Sequence, residues 1–160
     1  MTLSTGQRLL LPVRQYYVQT DSRIPGQAYR MCFSSTCAMA VKYLRPDALK
    51  GSNADDTYLH TLRRYGDTTS AEAQLAALRS LGLKADFHTD GRPGDLEREI
   101  NNGRPVAVGW LHQGSVTAPR GGGHWSVIIG YTDVAWIHND PNGEALLVQG
   151  GYAKSTKGAG

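Results

Sequence analysis

The amino-acid sequence predicts an α+β fold in which N-terminal helices pack on a mainly antiparallel β-sheet. Helical periodicity and capping signals dominate residues 32–102, whereas short apolar segments divided by glycine or Asn/Asp turns dominate residues 105–148. Helices followed by strands are typical of this class. The length of 160 residues, 40% of them hydrophobic, fits one domain with its own core.

The beginning of the chain is predicted to be extended and then to enter a buried helix. Residues 9–18 are rich in leucine, valine and tyrosine, but Pro12 interrupts any strand there. The segment 32–44 is apolar on nearly every face and stops at Arg45-Pro46, which predicts a buried helix. Its candidate N-terminal caps are Ser34, Ser35 and Thr36.

The middle of the chain is predicted to hold three more helices and one strand. Thr69 and Glu72 have the spacing of a capping box, and a leucine at every third position follows until Gly82 stops the pattern. The predicted elements are an exposed helix at 55–65, the helix that ends at 82, a strand at 83–89 and a helix at 93–102.

The last part of the chain is predicted to form most of the sheet. The predicted strands are residues 105–111, 124–131, 134–138 and 145–148. There is no internal repeat and no linker, so residues 1–160 are interpreted as a single domain. Within it, residues 150–160 are expected to form a flexible or truncated tail.

Charge and motif patterns argue against several classes of partner. The net charge of +3 comes from interspersed residues, without the basic stripe that is typical of nucleic-acid binding. No apolar window approaches 18 residues, and no basic stretch followed by an apolar core opens the chain, so neither a membrane span nor a signal peptide is expected. Scattered histidines and the lack of phosphate-binding loops predict neither a metal nor a cofactor.

The two cysteines lie in the first predicted helix. Cys32 and Cys37 are five positions apart, so their side chains point about 140° apart and cannot form a disulfide within a helix. Free thiols are typical of a reducing compartment, and we expect synthesis in the cytoplasm. Cys32 begins the helix, where the thiolate is favoured, and is a candidate nucleophile or a small packing residue. Cys37 is interpreted as packing.

Two further residues could act with Cys32. His124 follows three glycines at the start of a strand, where an imidazole can serve as a general base or simply lie on the surface. Asp140 ends the next strand, in a segment that also reads as an ordinary hairpin turn. If the two strands pair antiparallel, Asp140 emerges beside His124. The order cysteine, histidine, aspartate in these settings is that of a thiol-hydrolase triad.

Four blocks of sequence carry a resemblance to a known family. They are YYVQTDS (16–22), RMCFSSTCAMAVKYL (30–44), GGGHWSVIIGY (121–131) and NDPNGEALLVQGGY (139–152). The chain resembles the bacteriocin-processing-peptidase-like branch of the papain-like cysteine peptidases, in its phage-encoded form. The resemblance implies a papain-like fold with Cys32 as nucleophile, His124 as general base and acid, and Asp140 as the group that orients His124.

The resemblance also implies residues that support the reaction. Gln19 matches the glutamine that helps form the oxyanion hole, and Gln27 competes for that role because papain-like enzymes place a glutamine shortly before the nucleophile. The residues expected to border the substrate cleft are Gly122, Gly123, Trp125 and Trp110. Core packing is the alternative for both tryptophans.

The implied activity is hydrolysis of an amide bond, with the peptide part of bacterial peptidoglycan as the expected substrate. The implied setting is an infected bacterium, with the protein made in the cytoplasm and either carried in the virion or released to the periplasm through a holin. Cleavage of a phage or host protein is an alternative. Many family members have Gly-Pro after the nucleophile, where this chain has Phe33-Ser34. That departure motivates a second alternative, a non-catalytic tail or baseplate module that binds cell wall or another virion protein.

Overall fold

The α+β class is confirmed by the computed structural model, which describes residues 7–145 and 151–154. Helices precede most of the sheet, as the sequence predicts. The helices are α1 (Cys32–Leu44), α2 (Ala54–Leu62), α3 (Ala71–Ser80) and α4 (Pro93–Asn101), with single 3-10 turns at Gln19–Asp21 and Ala28–Arg30. The strands are β1 (Gln7–Leu10), β2 (Val106–Trp110), β3 (His124–Thr132), β4 (Trp136–Asn139), β5 (Glu144–Ala145) and β6 (Tyr152–Lys154).

Strand β3 is the centre of the main sheet, and all of its neighbours are antiparallel to it. Strand β4 pairs along one edge, while β2 and β1 pair with successive parts of the other edge. Trp110 of β2 lies opposite His124, and Asn139 of β4 lies opposite Val127. This register brings the ends of β2 and β4 to the beginning of β3, where His124 lies.

Helix α1 packs against the sheet and forms the middle of the core. Its Met39 and Val41 are fully buried, as are Met31 just before it and Val127 of β3. Burying a side chain of this size contributes about 1.5–3 kcal/mol. The prediction that residues 32–44 form a buried helix is therefore confirmed.

The start of α1 is also held by polar groups, but not as the sequence predicts. Ser34, Ser35 and Thr36 were expected to cap the helix, whereas they lie inside its first turns and are fully buried; the residue before the helix is Met31. The Ser34 hydroxyl lies 2.6 Å from that of Thr68 and accepts from the Gln74 amide at 3.1 Å. The Ser34 hydroxyl thus bonds to residues outside α1, as does that of Ser35, and the Thr36 hydroxyl has no hydrogen-bond partner among the described residues, so the capping prediction is wrong.

Two predictions for the middle of the chain are also wrong. Residues 55–65 were expected to form an exposed helix, but α2 is largely buried because the Asp55 carboxylate accepts from Ser35 in α1 at 2.9 Å and Tyr58 is fully buried. Residues 83–89 were expected to form a strand. They pair with no strand within residues 7–145 and 151–154, and the Arg79 guanidinium binds the Ala85 carbonyl at 2.7 Å instead.

Other boundaries need smaller corrections. The cap of α3 is Ser70 rather than Thr69, and its hydroxyl accepts from the Ala73 backbone at 3.2 Å. Of the predicted strand 145–148, only Ala145 lies among the described residues, where it belongs to β5. Residues 152–154 of the expected flexible tail form β6, whereas residues 155–160 lie outside the described part. The single-domain prediction remains untested.

Candidate active site

Cys32 is the first residue of α1, at the positive end of a helix of 13 residues. It is partly exposed, while the other cysteine, Cys37, is 1% exposed in the core. Both thiols are free. The first backbone N–H groups of a helix lack intrahelical partners and favour an anion nearby. Burial raises the pKa of Cys37 to about 12, so of the two cysteines Cys32 has the better setting for a nucleophile.

An aromatic stack joins the start of α1 to the start of β3. Phe33 and Trp125 are parallel, with an interplanar angle of 1° and ring centroids 3.6 Å apart. Gly109 lies beneath the indole, where an added Cβ would come within 3.1 Å of the ring. Since Phe33 follows Cys32 and Trp125 follows His124, the stack holds these two neighbours close together.

His124 and Asp140 form a short hydrogen bond. Nε2 of His124 lies 2.6 Å from Oδ1 of Asp140, and the two residues are 4% and 1% exposed. The sheet explains the contact, because Asn139 pairs with Val127 and Asp140 then continues β4 toward the start of β3. Nε2 is thus engaged, and Nδ1 is the ring nitrogen that remains available to Cys32.

The environment keeps His124 protonated near neutral pH. Burial by itself lowers the pKa of His124, but hydrogen bonds with Asp140 and Cys32, together with their charges, outweigh burial and raise it to about 9. The Cys32 side chain is a hydrogen-bond partner of this imidazolium. The geometry therefore brings together the three residues that the sequence nominated as a triad.

Asp140 accepts further hydrogen bonds, through both its side chain and its backbone. Its Oδ1 also accepts from the Asn142 backbone N–H at 2.8 Å, and its Oδ2 accepts from the Tyr152 hydroxyl at 3.1 Å. The Tyr16 hydroxyl donates to the main-chain carbonyl of Asp140. Buried carboxylates need such partners, since an unpaired buried charge is costly.

Two more histidines, His112 and His138, lie near His124. The His112 ring lies 5.4 Å from that of His124, and His138 Nδ1 lies 2.8 Å from the Ser126 hydroxyl on the same face of the sheet. The pKa of His112 is lowered by burial and then by the charge of His124. The pKa of His138 is lowered chiefly by burial. Both are therefore neutral beside one charged imidazole.

Gln19 lies close to Asp140 through the backbone. Its N–H donates to the carbonyl of Pro141 at 2.9 Å, and its side chain is 5% exposed. The Gln19 amide gives one hydrogen to the Ala28 carbonyl at 3.3 Å, which leaves the other N–H free for a substrate oxygen. Gln27 is half-buried, and no side-chain hydrogen bond of Gln27 is found within the described residues. The oxyanion role of either glutamine remains a prediction.

The residues expected to border the cleft differ in their surroundings. An added Cβ at Gly122 or Gly123 would meet no atom within 4 Å, so open space lies beside both. Trp125 is engaged in the stack with Phe33. The Trp110 indole N–H donates to Ser126 at 3.1 Å and its ring meets His124 edge-on. Both tryptophans support the site from inside the fold, and substrate contact by any of the four residues remains a prediction.

The sequence predicts neither a metal site nor a membrane span. No group of three or more His, Cys, Asp or Glu side chains within residues 7–145 and 151–154 is arranged to hold a metal ion. None of the helices in the described part of the chain is long and apolar enough to cross a bilayer.

The sequence profile of the Peptidase_C39 like family matches residues 13–155. The chain belongs to this family. The match spans the whole candidate site, from Tyr16 to Tyr152, and supports a cysteine peptidase with a papain-like fold. No curated protein and no solved structure matches the chain.

Sequence reasoning assigned no role to three residues that contact the triad or its neighbours. They are Tyr16, His138 and Tyr152. A signal existed for each of them. His138 precedes Asp140 by two positions in a predicted strand and hence shares its face, while Tyr16 begins the first block of the family resemblance and Tyr152 ends the fourth.

Proposed function

We propose that this protein is a cysteine peptidase in which Cys32, His124 and Asp140 form the catalytic triad. The observation that carries the proposal is the buried hydrogen bond of 2.6 Å between His124 and Asp140, at the point where the helix that begins with Cys32 meets the sheet. Membership of the Peptidase_C39 like family supports the same class of reaction.

The reaction begins with the Cys32 thiolate and the His124 imidazolium. The thiolate sulfur attacks the carbonyl carbon of an amide, and the oxyanion that forms accepts hydrogen bonds from the Cys32 backbone N–H and the free N–H of the Gln19 amide. His124 then gives its Nδ1 proton to the departing amine, the carbon–nitrogen bond breaks, and a thioester remains on Cys32.

Water completes the cycle. Neutral His124 accepts a proton from a water molecule, whose oxygen attacks the thioester carbon. The carbon–sulfur bond breaks, the carboxylic acid product leaves, and Cys32 and His124 return to their charged forms. Asp140 keeps the imidazole oriented through both steps and stabilises its cationic form.

The proposed substrate is the peptide part of bacterial peptidoglycan, cut by a phage-encoded enzyme during entry or lysis. The resemblance of the four sequence blocks to the phage-encoded branch supports this substrate class. The net charge of +3 is compatible with weak attraction to an anionic wall polymer. In this proposal the enzyme is made in the infected cell and reaches the wall through a holin or within the virion.

The test is digestion of purified peptidoglycan and of a casein-type protein, with products identified by mass spectrometry. Wild type should release wall peptides, Cys32→Ala should release none, and the matched variant Cys37→Ala should retain activity because Cys37 is a packing residue. Casein cleavage alone would favour a protein-processing protease. Equal digestion by wild type and Cys32→Ala would refute a cysteine peptidase.

Labelling separates catalysis from simple binding. Iodoacetamide at slightly acidic pH should modify Cys32 much faster than a free thiol, because the imidazolium of His124 favours its thiolate. A Cys32 that reacts no faster than a free thiol, in a protein that still binds cell wall, would support the non-catalytic module instead.

A further inference from the structure

The two carboxylate oxygens of Asp140 are held by different donors. Oδ1 faces His124 and the Asn142 backbone, whereas Oδ2 accepts from the Tyr152 hydroxyl at 3.1 Å and has no other partner among the described residues. Asp140 is 1% exposed, so bulk water does not offer an alternative donor to Oδ2. The Tyr152 hydroxyl therefore limits rotation of the carboxylate that pairs with His124.

The ring of Tyr152 also lies against the imidazole of His124. The two centroids are 5.8 Å apart and the rings are nearly perpendicular, at 84°. Trp110 approaches the same imidazole at 5.7 Å and 75°. Edge-to-face contacts of this kind are favourable and directional. The imidazole is thus confined by these two rings, together with the His112 ring at 5.4 Å, while its Nε2 is held by Asp140.

The segment that carries Tyr152 is anchored at the site. The Gly151 backbone N–H donates to the carbonyl of His112 at 3.2 Å, and Tyr152 pairs with Ala145 between β6 and β5. Both contacts are made by the backbone, so they persist when the Tyr152 side chain is changed. A substitution at this position can therefore separate the side chain's role from that of the segment.

We propose that Tyr152 is a positioning residue, whose hydroxyl fixes the carboxylate of Asp140 and whose ring restrains the imidazole of His124. The inference rests on the proposed function, since it assigns a residue that acts through the triad. Burial, followed by the charge of Asp140, raises the pKa of Tyr152 above its usual value. The hydroxyl accordingly stays protonated, and remains a donor, at any pH where His124 is an imidazolium.

The test compares Tyr152→Phe with Tyr131→Phe, which removes a hydroxyl that donates to Asn101 at 2.8 Å on the exposed surface. Two readouts are measured, kcat and KM on the substrate that wild type cleaves, and the far-downfield proton resonance of the His124–Asp140 hydrogen bond. Tyr152→Phe should lower kcat by about ten- to a hundredfold, as expected for loss of a hydrogen bond to a charged group. KM should change little, and the resonance should shift or broaden.

Tyr131→Phe should leave kcat and the resonance as in wild type. An active wild type whose kcat and resonance are both unchanged by Tyr152→Phe would overturn the positioning role and leave the proposed function intact. A wild type with no activity and no reactive Cys32 would refute the proposed function itself. Should Tyr152→Phe not fold, a ring-fluorinated tyrosine at 152 keeps the ring and makes the hydroxyl a stronger donor. An unchanged resonance with that residue would also overturn the proposal.

Discussion

Phe33 and Trp125 stack face to face, and each is the chain neighbour of a proposed catalytic residue. With centroids 3.6 Å apart, the two rings hold the start of α1 against the start of β3. The distance between Cys32 and His124 therefore depends on packing between their neighbours. One of the two rings comes from Phe33, the residue directly after Cys32.

Phe33→Ala should lower both stability and activity. Phe33 is 5% exposed, and truncating a buried phenylalanine costs about 3–5 kcal/mol. In conditions where the variant is fully folded, kcat/KM should still fall at least about tenfold, since a small displacement of reacting groups is costly. Urea unfolding and steady-state kinetics measure the two effects.

The control for this change is Phe87→Ala. The ring centroids of Phe87 and Trp125 are 6.1 Å apart, but Phe87 is 43% exposed. Loss of the Phe87 ring should therefore lower the free energy of unfolding by less than about 1 kcal/mol. If folded Phe33→Ala keeps wild-type kcat/KM, the stack contributes to stability alone.

Stability should fall as pH rises through the titration of His124. The folded-state pKa of about 9 exceeds the ordinary value of 6.5, so the folded state binds the proton more tightly. The contribution is fully present below about pH 6.5 and lost as pH approaches 9. This contribution to the free energy of unfolding is about 3 kcal/mol, because a shift of one pKa unit corresponds to about 1.4 kcal/mol. Unfolding free energies measured across this range should show the slope in wild type, and His124→Gln should abolish it.

Asp55 should give a second pH dependence, at lower pH. Burial is the main cause that raises its pKa from 3.8 to about 6. The folded state therefore holds a proton that the unfolded state releases, and stability declines as pH rises from about 4 to about 6. Asp55→Asn should remove this decline and stabilise the protein at neutral pH by up to about 3 kcal/mol.

Asparagine at position 55 can keep both hydrogen-bond partners of Asp55. An asparagine can still accept from the Asp56 backbone N–H and can donate to the Ser35 hydroxyl, so neither contact need be lost. Thermal or urea unfolding at pH about 4 and about 7 compares the two proteins. A variant less stable than wild type at both pH values would contradict the titration of Asp55.

Glycine substitutions should separate packing from access to the cleft. Gly130→Ala should be strongly destabilising, because its Cβ would lie 2.4 Å from the Leu9 carbonyl oxygen in the neighbouring strand. Gly122→Ala should leave stability near wild type, because no atom lies within 4 Å of the added carbon. Calorimetry tests both changes, and kcat/KM of Gly122→Ala tests whether substrate passes there.

Gly123 differs from Gly122 because its φ of 75° is one that alanine adopts only with strain. Replacing all three glycines at 121–123 should therefore reduce stability as well as activity.

Much of the fold could be predicted because its strongest signals are local. Helix α1 begins at Cys32 and ends at Leu44, as its apolar run and the following Arg45-Pro46 indicate. The centre of the sheet is likewise visible in the apolar and β-branched residues of 124–131. In such segments the residue pattern favours one type of secondary structure. The tertiary contacts of the folded protein agree with that local preference.

The wrong predictions concern residues whose structure depends on contacts with residues far away in the sequence. Asp55 looks like a solvent-facing carboxylate, and only its bond to Ser35, 20 positions away, explains its burial. Residues 83–89 have the alternation of a strand, yet a strand also needs a neighbour, and Arg79 binds the backbone there instead.

The distinction between local signals and distant contacts also applies to the candidate active site. Cys32, His124 and Asp140 could be nominated from residue type, setting and order. Tyr16 and Tyr152 could not be linked to Asp140, because tyrosine has many packing roles. The contact between Tyr16 and Asp140 spans 124 positions of the chain. Only the strand register, which no single segment encodes, brings these groups together.

The contacts of Asp140 also have a consequence for synthesis on the ribosome. Cys32 and its helix are translated early, but the carboxylate gains its Tyr152 partner only after β5 and β6 have been made. The contact of Asp140 with Tyr16 spans 124 positions, and pairing across such a separation is slow to form compared with local structure. A nascent chain therefore carries the Cys32 thiol long before it carries the complete proposed catalytic centre, and we expect proteolytic activity to begin only after translation has passed Tyr152.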